Sequence, residues 1–140
     1  MPYLTITYPP ILLVVLHTGL RRGGLFALTW TDVDFWQGIL RIVHTKSGER
    51  REIPMTDTLR NTLQVLPHQL HADAVFPRRS AGIRDILRRF HRALHASGIE
   101  GFVFHDLRHT FASHLGTAGV DLLPVKEFLG HKDLSMTLRY

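Results

Sequence analysis

His105 and Arg108, three residues apart, open an apolar-periodic run, which places both side chains on one face of a helix. They form a basic pair on a scaffold. A second histidine, His131, follows directly on Gly130, and Tyr140 stands on a last short turn. A histidine, an arginine, another histidine and a tyrosine are thus delivered by helix ends and turns, where chemistry is usually mounted on a rigid frame. Upstream, Arg21 lies at the start of a helical pattern, where the helix dipole mildly disfavours a cation. A positive side chain at such a place asks for an anionic partner. A phosphate would serve; a solvated surface arginine is the plainer alternative.

The scaffold under the His105 and Arg108 pair is Leu107, Phe111, Leu115 and Ala118, at steps of four, four and three, which predicts a buried helix stripe. A second helix runs from Asp121, a good N-cap, through Leu122, Val125, Phe128 and Leu129 to Gly130, the usual residue just beyond a helix end. Ser135 can cap the final turn, on which Met136 and Leu138 are the apolar residues available as anchors. Residues 11–17 predict a short core helix closed by Thr18 and Gly19. Residues 1–10, with paired prolines, suit an extended leader better than a helix. Alternation over 39–43 and 51–53 around a polar turn at 46–49 predicts a hairpin, with 74–76 as a further edge strand. Residues 56–66, capped by Asp57, and 82–97 read as amphipathic helices. In the latter, Ile83, Ile86, Leu87, Phe90 and Leu94 form a stripe that leaves Arg84, Arg88, Arg89 and Arg92 outside. That basic face suits a phosphate backbone or plain solvent. The expected fold class is mainly α with a small antiparallel β-sheet, α+β.

A chain of 140 residues, 44% apolar, suits one domain with one core. Seventeen Lys and Arg against twelve Asp and Glu leave +5, which favours an anionic partner. The absence of cysteine excludes a disulfide framework and thiolate metal sites. The longest apolar run, 11–16, falls far short of the roughly 20 residues of a membrane span, so a soluble, cytoplasmic protein without membrane contact is expected. His105 and His109 stand four apart, as do His91 and His95, spacings that can hold a metal on one helix face. Without Cys or an HExxH arrangement, no metal site is expected.

At these residues the chain resembles the tyrosine recombinases, also called the phage-integrase family. The family's His-x-x-Arg pair, its Leu-Gly-His and its tyrosine nine residues later read here as His105, Arg108, His131 and Tyr140. Its Thr-Gly-x-Arg reads as Thr18 to Arg21, and Thr-Lys-Ser-Gly puts Lys46 at the hairpin tip. The likeness covers most of the chain. It implies a tyrosine-recombinase catalytic-domain fold over 11–140 behind a leader at 1–10, with double-stranded DNA and other recombinase protomers as partners and no cofactor.

The reaction it implies is DNA strand cleavage and rejoining through a 3′-phosphotyrosine. A phosphodiester is a poor electrophile wrapped in negative charge, so an enzyme must neutralise oxygens, supply a nucleophile and protonate a leaving group. By the resemblance, Arg21 and Arg108 hold the phosphate through planar, permanently charged forks. Tyr140 attacks, His105 helps to deprotonate it, Lys46 protonates the departing 5′-oxygen, and His131 bonds a non-bridging oxygen. The chain departs from the family at Gly24, where an acidic residue is usual, and is expected to be a catalytic domain without the usual N-terminal DNA-clamping domain and the segment after the tyrosine. Those departures motivate an alternative: an inactive or truncated relative that only binds DNA. A metal-dependent hydrolase built on the histidines is a third class.

Overall fold

Ile11, Val14 and Val15 are almost fully buried, and the helix that carries them, α1 (Tyr3–Thr18), packs against two others. The computed structural model describes residues 3–43, 50–68, 73–77, 82–131 and 134–138. Helix α1 begins well before Ile11, so the extended leader expected over 1–10 is instead helical from Tyr3. Inside a helix each proline forfeits an N–H bond and crowds the carbonyl four residues back, at about 3 kcal/mol, so Pro9 and Pro10 weaken the first turns of α1. Burial of the following turns anchors it. Gly19, in the left-handed region at φ 65°, then ends α1.

Helix α2 (Arg22–Ala27) leads through a 3-10 turn at Trp30–Asp32 into the sheet. Strands β1 (Val33–Asp34), β2 (Ile39–Ile42) and β3 (Arg51–Pro54) are antiparallel in the order β1-β2-β3, with Leu40 opposite both Val33 and Ile53. Leu40, Ile42 and Ile53 enter the core. On the other face Arg41 pairs with Asp34 at 2.9 Å and Glu52 at 3.6 Å. The hairpin expected at 39–43 and 51–53 is present, but its third strand is Val33–Asp34 and not 74–76. Ala74 makes only an isolated bridge to Thr29, because the Val75 N–H bonds the Leu28 carbonyl and Asp73 accepts from the Trp30 N–H ahead of β1. Val75 and Phe76 serve as a buried plug.

Helix α3 (Asp57–Gln64) buries Leu59 and Leu63 against α1. Its cap is Thr56, whose Oγ1 accepts from the Leu59 N–H at 3.1 Å; Asp57 already lies inside the helix. Helix α4 (Gly82–Ala96) buries Phe90 edge-on to Phe104, while Asp85 pairs with Arg88 at 2.5 Å and Arg89 at 2.9 Å.

Helices α5 (Asp106–Thr117), α6 (Leu122–Leu129) and α7 (Leu134–Thr137) follow. Helix α5 packs on α1 and on α6, and a second, smaller core of Phe111, Ala112, Val125 and Leu129 lies between α5 and α6. Leu107 and Phe111 are buried as the stripe predicts, but Leu115 is only half-buried and Ala118 is exposed. Ala118 falls past the end of α5, so the helical period no longer directs it inward. Asp121 occupies the cap position of α6 without a side-chain cap bond. Ser135 lies within α7 instead of capping it, and Met136 and Leu138 are exposed, whereas Thr137 is buried. Among the described residues no helix is long and apolar enough to cross a membrane.

Candidate active site

Arg108 is only 2% exposed, an uncommon place for a permanently charged side chain. It is held there by carbonyls. Nη1 donates to the Gly19 carbonyl at 2.7 Å and Nη2 to the Leu129 carbonyl at 2.6 Å. One guanidinium therefore joins the turn after α1 to the last carbonyls of α6, where the helix dipole is negative. Gly19 permits the approach: a Cβ there would lie 2.4 Å from Phe111 Cδ1.

Arg21 caps α2 with extended backbone (φ −71°, ψ 159°), its carbonyl accepting from the Leu25 N–H at 2.9 Å. Its side chain is exposed. His105 takes the residue before α5, and the Asp106 carboxylate closes that turn by accepting the Val103 N–H at 2.7 Å. The His105 ring stands edge to face on His109, centroids 4.9 Å apart. Arg21, His105 and Arg108 all line one cleft of about 690 Å³ whose walls include Leu20, Phe104 and, from α4, Leu87 and His91.

His131 is set by the end of α6. The Gly130 N–H bonds the Glu127 carbonyl and the His131 N–H bonds the Lys126 carbonyl, each at 3.1 Å, a Schellman closure that uses the positive φ of Gly130. The ring is buried, with Nδ1 3.0 Å from Thr137 Oγ1. Burial, followed by the Arg108, Arg21 and Arg51 guanidinium groups and His109, pushes its pKa from 6.5 down to about 4. His105 is lowered too, by partial burial first, then by His109, Arg108 and Arg21, with Asp106 opposing. Both imidazoles are therefore neutral at pH 7. A cluster of guanidinium groups with neutral imidazoles attracts an anion and accepts or shares protons with it.

Lys46 and Tyr140, the remaining site residues expected from the sequence, lie outside the described residues. A Cβ at Gly24 would stand 3.3 Å from Leu20 Cδ2, a close contact that asks the leucine side chain to shift by a few tenths of an ångström. Among the described residues no group of three or more His, Asp and Glu is arranged to hold a metal ion.

Three residues near the site had no role at it in the sequence reading, where His91 entered only through its metal-like spacing to His95. Arg51, at the start of β3, donates from Nη1 to the Phe128 carbonyl at 3.0 Å and underlies Gly130. Its partner is 77 residues away, so no local pattern announces the bond. Thr137 had one signal, a polar residue three before Tyr140, and His91 had only its place on a helix bordering the cleft.

The model of the phage integrase family matches residues 3–140. The shufflon-specific DNA recombinase of Escherichia coli is 32% identical over 128 residues, covering 91% of this chain and 32% of that protein. Tyrosine recombinase XerD of Shewanella oneidensis is 38% identical over 135 residues, covering 88% of this chain and 45% of that protein. The chain thus spans less than half the length of these curated relatives. Among solved structures, the catalytic domain of bacteriophage HP1 integrase superposes with a TM-score of 0.71 at 32% identity, over 94% of this chain and 71% of that one. XerH site-specific recombinase bound to its difH substrate superposes at 0.80 and 21% identity, over 98% of this chain and 43% of that one, a likeness of fold.

Proposed function

The chain belongs to the phage integrase family, and on that premise we propose that it is the catalytic domain of a tyrosine-type site-specific DNA recombinase. The observation that carries this is the convergence of Arg21, His105 and Arg108 on one cleft, with His131 neutral behind them. The two guanidinium groups bind the non-bridging oxygens of a scissile phosphate and stabilise the charge that builds there in the transition state. The Tyr140 oxygen attacks phosphorus, the bond to the 5′-oxygen breaks, and a 3′-phosphotyrosine forms. The tyrosine proton passes to His105, and Lys46 supplies a proton to the leaving 5′-oxygen. His131 donates to a non-bridging oxygen. Rejoining runs the same steps backwards, with a 5′-hydroxyl attacking the phosphotyrosine, so neither metal nor cofactor is consumed.

The partners are double-stranded DNA and other protomers of the recombinase assembled on it, and the compartment is the cytoplasm. A relative that only binds DNA, the reading suggested by Gly24, has less support, because Arg21, His105 and Arg108 line one cleft and His131 feels both guanidinium groups although position 24 carries no carboxylate. A DNA duplex nicked beside the scissile phosphate tests the proposal. The expected result is a covalent protein–DNA adduct that disappears in Tyr140→Phe. No adduct from either the chain or its Gly24→Glu variant, on any of a panel of recombination sites, would overturn it.

A further inference from the structure

Thr137 has a hydroxyl in an unusual position: the residue is completely buried on a four-residue helix whose neighbours Met136 and Leu138 are exposed. Burying a hydroxyl without a partner is unfavourable, and among the described residues its partner is His131 Nδ1 at 3.0 Å. The imidazole is itself buried, so each group is the other's means of satisfaction.

We propose that Thr137 is a positioning residue for His131: its hydroxyl donates to Nδ1, confines the imidazole proton to Nε2, and thereby makes Nε2–H the donor that meets a phosphate oxygen. This rests on the reading of the cleft as a phosphate site. Proton counting among the described residues favours this direction of the bond. A neutral imidazole carries one N–H, and a threonine hydroxyl carries one proton that needs an acceptor when buried. With Thr137 donating, Nδ1 accepts, the hydroxyl proton is satisfied, and the ring's one N–H lies on Nε2. In the opposite arrangement the hydroxyl proton is left to find another acceptor, and Nε2 turns a lone pair toward an incoming anion. The neutral state required is the one held by burial and by the surrounding guanidinium groups.

The bond also ties the site to the chain's last turn. His131 leaves the Schellman closure of α6, and α7 returns Thr137 to it six residues later, three residues before Tyr140. Seating α7 is therefore the event that completes His131. The phosphate ligand and the segment bearing the nucleophile are made ready together, and displacing α7 frees the imidazole to adopt either tautomer.

The experiment is long-range proton–nitrogen NMR on the full chain labelled with 15N-histidine, at neutral pH. The expected His131 pattern has an unprotonated Nδ1 and a protonated Nε2. A protonated Nδ1 in the wild-type chain overturns the proposal with no variant and no activity required. Thr137→Val keeps the shape and removes the donor, and is expected to give mixed tautomers; Thr137→Ser restores the single one. An unchanged tautomer in Thr137→Val also refutes the assignment. On the nicked duplex, Thr137→Val should slow adduct formation about tenfold, one hydrogen bond's worth, with DNA affinity within about twofold of wild type and recovery in Thr137→Ser. A mixed tautomer with an undiminished rate refutes the link to catalysis. A wild-type chain with the expected tautomer but no adduct counts instead against the recombinase reading.

Discussion

Substituting Gly130 by alanine probes the joint between the hairpin and the histidine that follows α6. Gly130 lies at φ 65°, where an L side chain is strained by about 1–2 kcal/mol. A Cβ there would also stand 2.6 Å from Arg51 Nη1, 2.9 Å from Cζ and 3.1 Å from Cδ, so the guanidinium has to move. Moving it breaks the 3.0 Å bond to the Phe128 carbonyl, a charged-donor bond of about 1.5–3 kcal/mol. Together these terms predict that Gly130→Ala destabilises the chain by about 2.5–5 kcal/mol. In an Arg51→Ala background the collision is absent and only the backbone strain remains, about 1–2 kcal/mol. The double-mutant cycle should therefore give a coupling of about 1.5–3 kcal/mol, the double variant being less damaged than the sum of the singles. Urea unfolding followed by circular dichroism measures all four chains, with the slope checked for constancy. An equal cost of Gly130→Ala in both backgrounds would falsify the packing argument, since strain alone would then explain the loss.

Further outcomes follow from other residues. Gly23 meets no atom within 4 Å of a built Cβ and has no positive φ, so Gly23→Ala should raise stability by about 0.5–1 kcal/mol in the same assay; a loss would mean that α2 needs the flexibility. Arg21 is exposed, so Arg21→Ala should leave stability within about 0.5 kcal/mol while reducing the slope of log DNA affinity against log salt by about 1. An unchanged slope counts against phosphate contact by Arg21. The folded pKa of His131, about 4, lies below its ordinary 6.5, so the unfolded chain binds more protons between those values. Its stabilising contribution is therefore whole above pH 6.5 and is lost as pH falls toward 4, with the lowered pKa values of His17 and His105 acting in the same direction. His131→Gln should flatten the acid limb of a stability–pH curve, and an unaltered limb would show that other groups carry it.

Much of the architecture was legible because its signals are local. The hairpin periods at 39–42 and 51–54, the Phe90 stripe of α4, and Gly130 after Leu129 are each decided within a few residues of chain. Misreadings came where a local preference met a longer-range demand. Paired prolines argued against a helix that buried turns sustain, and residues 74–76, strand-like in composition, pair with the approach to β1 by an isolated bridge.

The site divides along the same line. The pairing of His105 with Arg108 and the place of His131 one step past a helix-ending glycine were legible from spacing, while their joint role came from the family resemblance. What they do to one another was not legible. That Arg108 is buried under the carbonyls of Gly19 and Leu129, that Arg51 reaches across 77 residues to Phe128, and that Thr137 returns to His131 depend on how α1, β3, α6 and α7 pack. The sequence by itself determined which groups were available and the helix ends that present them. Only the tertiary structure decided how burial and neighbouring charge bias their protonation, because both are set by groups brought together from distant segments.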